Sequence, residues 1–151
     1  MKDFPWFECP SNPTRPPFPI GPTHFVGIAG LGADSPMLPK GHVRAGIFGY
    51  DRATTFADIT DGLSNTMMVV ETSREIGPWT AGGRASIRGL DPSKPPYIGK
   101  RGQFGGNHRG GANVLMADGS VKFLSDTVNP HFFEAISTIS GGEVMLGDTI
   151  D

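Results

Sequence analysis

The stretch that most constrains this chain runs Gly105-Gly106-Asn107-His108-Arg109-Gly110-Gly111 and leads into two short apolar runs separated by Asp118-Gly119. An Asp-Gly pair in that setting predicts a β-hairpin with strands over 113–117 and 120–124. Asp-Gly accepts the positive φ angles of a type I′ turn, whose twist matches the flanking strands. Ahead of the hairpin, glycines on both sides of His108 let the backbone turn sharply and approach another segment closely. A histidine held in such a loop can donate from one ring nitrogen and accept with the other. Its expected role is to pin the loop, either to Glu71 or to a backbone group of the 61–66 turn.

With 151 residues, the chain suits one domain, 1–151. Its 22 glycines and 14 prolines predict long loops, and a 37% hydrophobic content predicts a core that is small or shared with missing sequence. Residues 1–23 read as a proline-rich strap, extended because proline removes donors and disfavours helix before it. Phe4, Trp6, Phe7 and Phe18 are its expected anchors. Residues 24–30 read as a strand and 31–46 as a loop. Thr54-Thr55-Phe56-Ala57-Asp58-Ile59 reads as a capped helix start that Asp61-Gly62 ends. Residues 67–71, apolar on both faces, predict a central strand. Residues 73–103 read as a long loop of the kind that is often functional. Asn129-Pro130 predicts a helix to about Ser137, with Phe132, Phe133 and Ile136 on one face. An edge strand is expected over 143–146.

Net charge is −2 with no basic block, so no electrostatic surface for nucleic acid is expected. No apolar run approaches the roughly 20 residues of a membrane helix, and the start Met1-Lys2-Asp3 has no signal-peptide pattern. The single cysteine, Cys9, can make no intrachain disulfide and does not decide the compartment.

A hydrolase could be assembled on paper from Ser64 or Ser120 with His108 and Asp118. No Gly-x-Ser-x-Gly elbow supports it, and Cys9 sits in the strap rather than in a nucleophile motif, so no enzyme is expected. Glu71, His108, Asp118, Asp58, Asp61 and Asn65 supply oxygen and nitrogen ligands near predicted turns, with Glu71 and Asp118 the calcium candidates. The spacing has no EF-hand form, and the alternative is that Asp61 and Asp118 are turn formers. No cofactor beyond that calcium alternative is expected. The hydroxyl and amide groups of Ser64, Asn65 and Thr66 serve either ligand binding or local backbone bonds. Trp79 is either an exposed recognition aromatic or a lid over the core.

Several segments, in order, resemble one bacterial family: Phe7-Glu8-Cys9-Pro10-Ser11; Thr23-His24-Phe25-Val26-Gly27; Asp58-Ile59-Thr60-Asp61-Gly62-Leu63-Ser64-Asn65-Thr66 with Glu71; and His108, nine residues, then Asp118-Gly119. They are similar to the prepilin-type processing-associated proteins, pilin-like proteins of unknown function expanded in planctomycetes. The resemblance implies an α+β fold with a small antiparallel sheet, few short helices and long Gly/Pro-rich loops, the head of a type IV pilin-like or pseudopilin-like protein. It also implies an apolar N-terminal helix, missing here, that anchors the protein to the inner membrane. The head then sits on the periplasmic or extracellular face of the cell envelope. The expected partners are other pilin-like subunits or type II secretion-like machinery, with membrane contact only through that helix. Asp61, Gly62, Ser64, Asn65, Thr66, Glu71, His108, Asp118 and Gly119 are the residues that carry the family pattern. The alternative is an extracytoplasmic module that binds polysaccharide or another exported substrate. The two differ in whether the 73–103 loop contacts neighbouring subunits or lines a pocket.

Overall fold

The computed structural model describes residues 5–12 and 21–142. Five strands form one sheet: β1 (Phe25–Leu31), β2 (Met67–Glu71), β3 (Ile87–Leu90), β4 (Gly111–Met116) and β5 (Val121–Ser125). Their order is β3-β1-β2-β4-β5, so the apolar run at 67–71 occupies the centre. A short helix, α1 (Pro130–Ala135), and several single 3₁₀ turns complete the described structure. The fold is therefore α+β and mostly sheet.

The sheet is mixed, not antiparallel as expected. β1 runs parallel to β3, while the other three pairings are antiparallel. The cause is a strand hidden in the 73–103 segment. Ile87-Arg88-Gly89-Leu90 is short, and an Arg and a Gly interrupt its apolar pattern. Gly89 is needed there because a Cβ would run into the Gly32 carbonyl and Ser35 of the neighbouring loop. The parallel pair closes at Gly27↔Ile87, and the chain reaches it by leaving β2 and crossing over β1.

On the inner face Val26, Ile28, Met67, Val70, Leu90, Val114, Met116 and Leu124 pack under Phe132, Phe133 and Ile136 of α1. Phe133 is fully buried between Tyr97 and Phe104, with ring centroids at 5.6 and 6.1 Å. Asn129 caps α1 through its Oδ1, which accepts from the His131 amide at 2.9 Å. The helix ends at Ala135, two residues short of the expected limit. A second small cluster of Ile59, Ala117 and Ile139, with Ile47 and Leu63, seals the far end.

The hairpin forms, with a different turn. Among the described residues, Glu75 is the non-glycine with positive φ, so Asp118 does not take the left-handed conformation of a type I′ turn. The Gly119 amide donates to Met116 O at 3.0 Å, and the Met116 amide donates to Ser120 O at 2.9 Å. Gly119 alone has φ +87°. This is a type I turn closed by a left-handed glycine, the three-residue hairpin loop. Asp118 Oδ1 accepts from the Ser120 amide and hydroxyl at 2.8 and 2.7 Å, which holds its carboxyl below the usual range. Gly119→Val forces a β-branched residue into that conformation and should cost about 1–3 kcal/mol. Thermal and urea melts equal to wild type would show that the turn relaxes freely.

Among the described residues of the expected strap, the anchors differ in part from those expected. Trp6 is 81% exposed, so it does not anchor the segment, whereas Cys9 is 2% exposed and does. Phe7 stacks on Trp79 with centroids 5.4 Å apart. Trp79 is half-buried there and lines a groove on the outer sheet face. The anchors expected at Phe4 and Phe18, and the edge strand at 143–146, lie outside the described residues.

Candidate functional site

Three chain segments converge at the Glu71 end of β2. Glu71 closes the central strand and lies 4% exposed. A buried carboxylate needs donors, and Asn113 of β4 supplies two. Its backbone amide and Nδ2 donate to Glu71 Oε2 at 2.8 and 3.0 Å. The other oxygen, Oε1, lies 3.1 Å from His108 Nε2. Of the two anchor points expected for His108, the structure places it on Glu71.

The glycine-rich loop makes this approach. Gly105 and Gly106 have φ of +76° and +92°, and the Gly105 amide donates to Glu71 O at 2.7 Å. Gly105 then pairs with Thr72 and His108 with Gly111, so the loop runs along the end of β2 before entering β4.

The strap brings the third group. Cys9 Sγ lies 3.4 Å from His108 Nε2. Its position is fixed by His24, whose Nδ1 accepts from the Cys9 amide at 2.9 Å while its own amide donates to Phe7 O at 2.8 Å. His24 is 1% exposed, and burial lowers its pKa below the usual imidazole value. Asn12 Nδ2 adds a bond to Asn107 Oδ1 at 2.9 Å. Burial, reinforced by the nearby Glu71 carboxylate, pushes the Cys9 thiol above its ordinary pKa. Sequence reasoning missed Cys9, because a Cys-Pro pair in a proline-rich segment carries no local sign of what it will face 99 residues later.

Sulfur, nitrogen and oxygen ligand atoms of Cys9, His108 and Glu71 thus lie within 4.8 Å of one another. The same ring nitrogen, Nε2, faces both the thiol and the carboxylate. A thiol–imidazole–carboxylate relay uses the two ring nitrogens on opposite sides, so these contacts do not form one. The geometry is that of three donors around one point.

The other residues singled out by the sequence lie elsewhere. Asp61 accepts from the Gly141 and Gly142 amides at 2.8 and 3.2 Å, tying the turn to the segment after α1. Gly62 has φ +98°. Asn65 Nδ2 donates to Asp61 O at 3.0 Å, and Thr66 Oγ1 donates to Gly62 O at 3.0 Å. Ser64 sits in the 3₁₀ turn Leu63–Asn65. Asp118 is at the hairpin tip with Ser120. Among the described residues, no hydrogen bond joins His108 to Asp118, Ser64 or Ser120, so the hydrolase set is not assembled. Nor does Asp118 join Glu71 in the cluster of metal-ligating groups.

His108→Ala should leave Glu71 Oε1 short of a partner and cost about 1–3 kcal/mol, with a smaller loss for His108→Gln. Urea melts in excess chelator read this directly. An alanine variant as stable as wild type would remove the structural role.

A second feature is a cleft of about 530 Å³ beside β3. Arg74, Arg84, Arg88, Lys94 and Arg101 line it, against Glu75 and Asp91. Arg88 is 4% exposed, donates to Arg74 O at 2.9 Å and lies over the Phe104 ring. Burial lowers its pKa to about 10.

The family model described as "Protein of unknown function (DUF1559)" matches residues 1–88 and 75–131. The chain belongs to this family. The matched span includes Cys9, Glu71, His108, Asn113 and the hairpin. Comparison with curated proteins finds no match, and neither does comparison with solved structures.

Proposed function

We propose that this DUF1559 domain is the head of a pilin-like protein, a structural component of a pilus-like or type II secretion-like assembly in the cell envelope. The prepilin-type processing-associated resemblance, with His108 nine residues before Asp118-Gly119, motivates the reading. The observation that carries it is the open outer face of the sheet. Gly27 pairs with both Ile87 and Val69, Val69 with Leu115, and Leu115 with Val121. Directly paired residues share a face, so an apolar row crosses all five strands. Among the described residues it is only partly covered: Ile87, Val69 and Leu115 are half-buried and Val121 is 67% exposed. Phe7, Phe25, Phe48 and Trp79 border the row as a groove of about 360 Å³. An apolar stripe of this length calls for cover. The occupant we assign is the apolar N-terminal helix that the resemblance implies, which would also anchor the head to the membrane and to neighbouring subunits.

The test is a longer protein carrying that upstream segment, expressed in membranes. A Val121→Cys reporter, read against the parent whose own Cys9 is buried, should be shielded from a water-soluble thiol reagent in the longer protein and labelled rapidly in the 151-residue chain. Equal labelling in both would overturn the reading, as would a full reading frame with no apolar segment.

A second reading, an extracytoplasmic ligand-binding module, is favoured by the cleft. The 73–103 loop lines it, and its five cations outnumber its two carboxylates. An acidic saccharide fits that balance. Calorimetric titration with an oligouronate should show binding that weakens with salt and is lost in Arg101→Glu, while a neutral oligosaccharide gives none. No heat with the oligouronate at low salt would retire this reading.

A further inference from the structure

We propose that Cys9, Glu71 and His108 form a binding site for one divalent transition-metal ion of the zinc type. The inference is independent of the pilin-like reading and rests on convergence. Three donors from the strap, the end of β2 and the glycine-rich loop surround a single point. With Zn–S near 2.3 Å and Zn–N or Zn–O near 2.0–2.2 Å, tetrahedral angles place neighbouring ligand atoms roughly 3.3–3.6 Å apart. Here sulfur and nitrogen lie 3.4 Å apart and nitrogen and oxygen 3.1 Å. These two pairs need to open by only a few tenths of an ångström to admit the ion, and all three donor atoms already lie within 4.8 Å of one another.

The donor types select the metal. Calcium takes six to eight oxygens, so a thiolate, an imidazole and one free carboxylate oxygen do not suit it. Sulfur with nitrogen favours zinc and its neighbours in the transition series. Charge agrees as well. A thiolate and a carboxylate in a place 2–4% exposed are neutralised by one divalent cation. On binding, the thiol proton passes to buffer and the imidazole proton moves to Nδ1, which frees Nε2 as a ligand.

The surroundings hold the donors in place. Both Asn113 donors bind Glu71 Oε2, which leaves Oε1 directed to the site. The His24 ring holds the Cys9 backbone. Such outer partners orient metal ligands. His108 keeps 28% of its side chain exposed, which leaves an approach for water or an exogenous anion as a fourth ligand.

The test begins with wild-type protein, stripped by chelator and kept reduced, and titrated with cobalt(II). One cobalt per chain should bind, with thiolate-to-cobalt charge-transfer absorption and the intense visible bands of a four-coordinate site. Zinc should then bleach both, and should raise the melting temperature where calcium does not. Cys9→Ser should abolish the charge-transfer band and weaken zinc by more than about 100-fold. Asn113→Ala should weaken it by about 10-fold, as outer partners do. Asp118→Asn, at the distant turn, should leave binding unchanged. A folded wild-type protein with no thiolate band at saturating cobalt overturns the site, as does a Cys9→Ser variant that keeps the band. Neither result bears on whether the outer sheet face is covered, so the two proposals fail separately.

Discussion

Glu71→Ala should destabilise the domain by about 3–5 kcal/mol, the scale for removing one member of a buried, hydrogen-bonded charge cluster. The carboxylate is 4% exposed and serves groups from two elements. Without it, the Asn113 amide and Nδ2 lose their acceptor and His108 Nε2 loses its partner. The loop from Gly105 to Gly111 would then be held to β2 mainly by backbone bonds such as Gly105 to Glu71 O. Glu71→Gln keeps an acceptor of the same shape and should lose only about 1–2 kcal/mol. Urea denaturation in excess chelator separates this from any metal contribution. A loss below about 1 kcal/mol for alanine would show that Asn113 and His108 find replacement partners, and that Glu71 does not organise the loop.

What the sequence revealed follows from how local each signal was. The hairpin was legible because Asp118-Gly119 and the apolar runs beside it act within a dozen residues. The central placement of β2 was legible because Met67-Met68-Val69-Val70 is apolar on both faces. The α1 cap was legible because Asn129-Pro130 acts on its own helix. The turn type was not, since Asp-Gly also fits a type I turn closed by a left-handed glycine, and the choice depends on register. The parallel strand β3 was hidden because Ile87-Arg88-Gly89-Leu90 is defined by its neighbour: Gly89 by the backbone of the Gly32 loop, and Arg88 by Phe104 and the cleft. Half of the candidate site was legible for the same reason. Glycines flanking His108 announced a loop that must approach something, and Glu71 at the end of a buried strand was a reasonable partner. Cys9 could not be found that way. Its contact to His108 spans 99 positions, and the prolines around it, Pro5, Pro10 and Pro13, signal extension, not chemistry.

Arg52 shows the same limit on a larger scale, and its loss should be the other severe lesion in the domain. Nothing near it in the sequence marks it out. In the fold its guanidinium gathers the loop between β1 and the 3₁₀ turn at Phe56–Asp58. One terminal nitrogen donates to Ser35 O and Leu38 O at 3.0 and 2.7 Å. The other donates to Ala29 O and Gly46 O at 2.8 and 3.1 Å, and to Phe48 O. Five carbonyls, one from β1 and four from the loop that follows it, thus share one cation. Two of them also accept a backbone amide, Ala29 O from Gly46 at 2.7 Å and Ser35 O from Leu38 at 3.2 Å, so Leu38 O, Gly46 O and Phe48 O lean most on the guanidinium. Hydrogen bonds from a charged donor contribute more than neutral ones, though not additively, so Arg52→Met should cost at least about 3 kcal/mol. Arg52→Lys should recover little, because an ammonium cannot reproduce the planar fork that reaches both groups of carbonyls. Gly49→Ala supplies an independent check, since its Cβ would lie 2.6 Å from the Arg52 guanidinium carbon and push it out of position. Urea melts together with hydrogen exchange over residues 31–52 read the result. Protection lost first across that loop, and then across β1, is the expected pattern. Full stability of Arg52→Met would mean that water satisfies the carbonyls and that backbone bonds such as the Gly46 amide to Ala29 O and the Phe48 amide to Ile28 O hold the loop without the guanidinium.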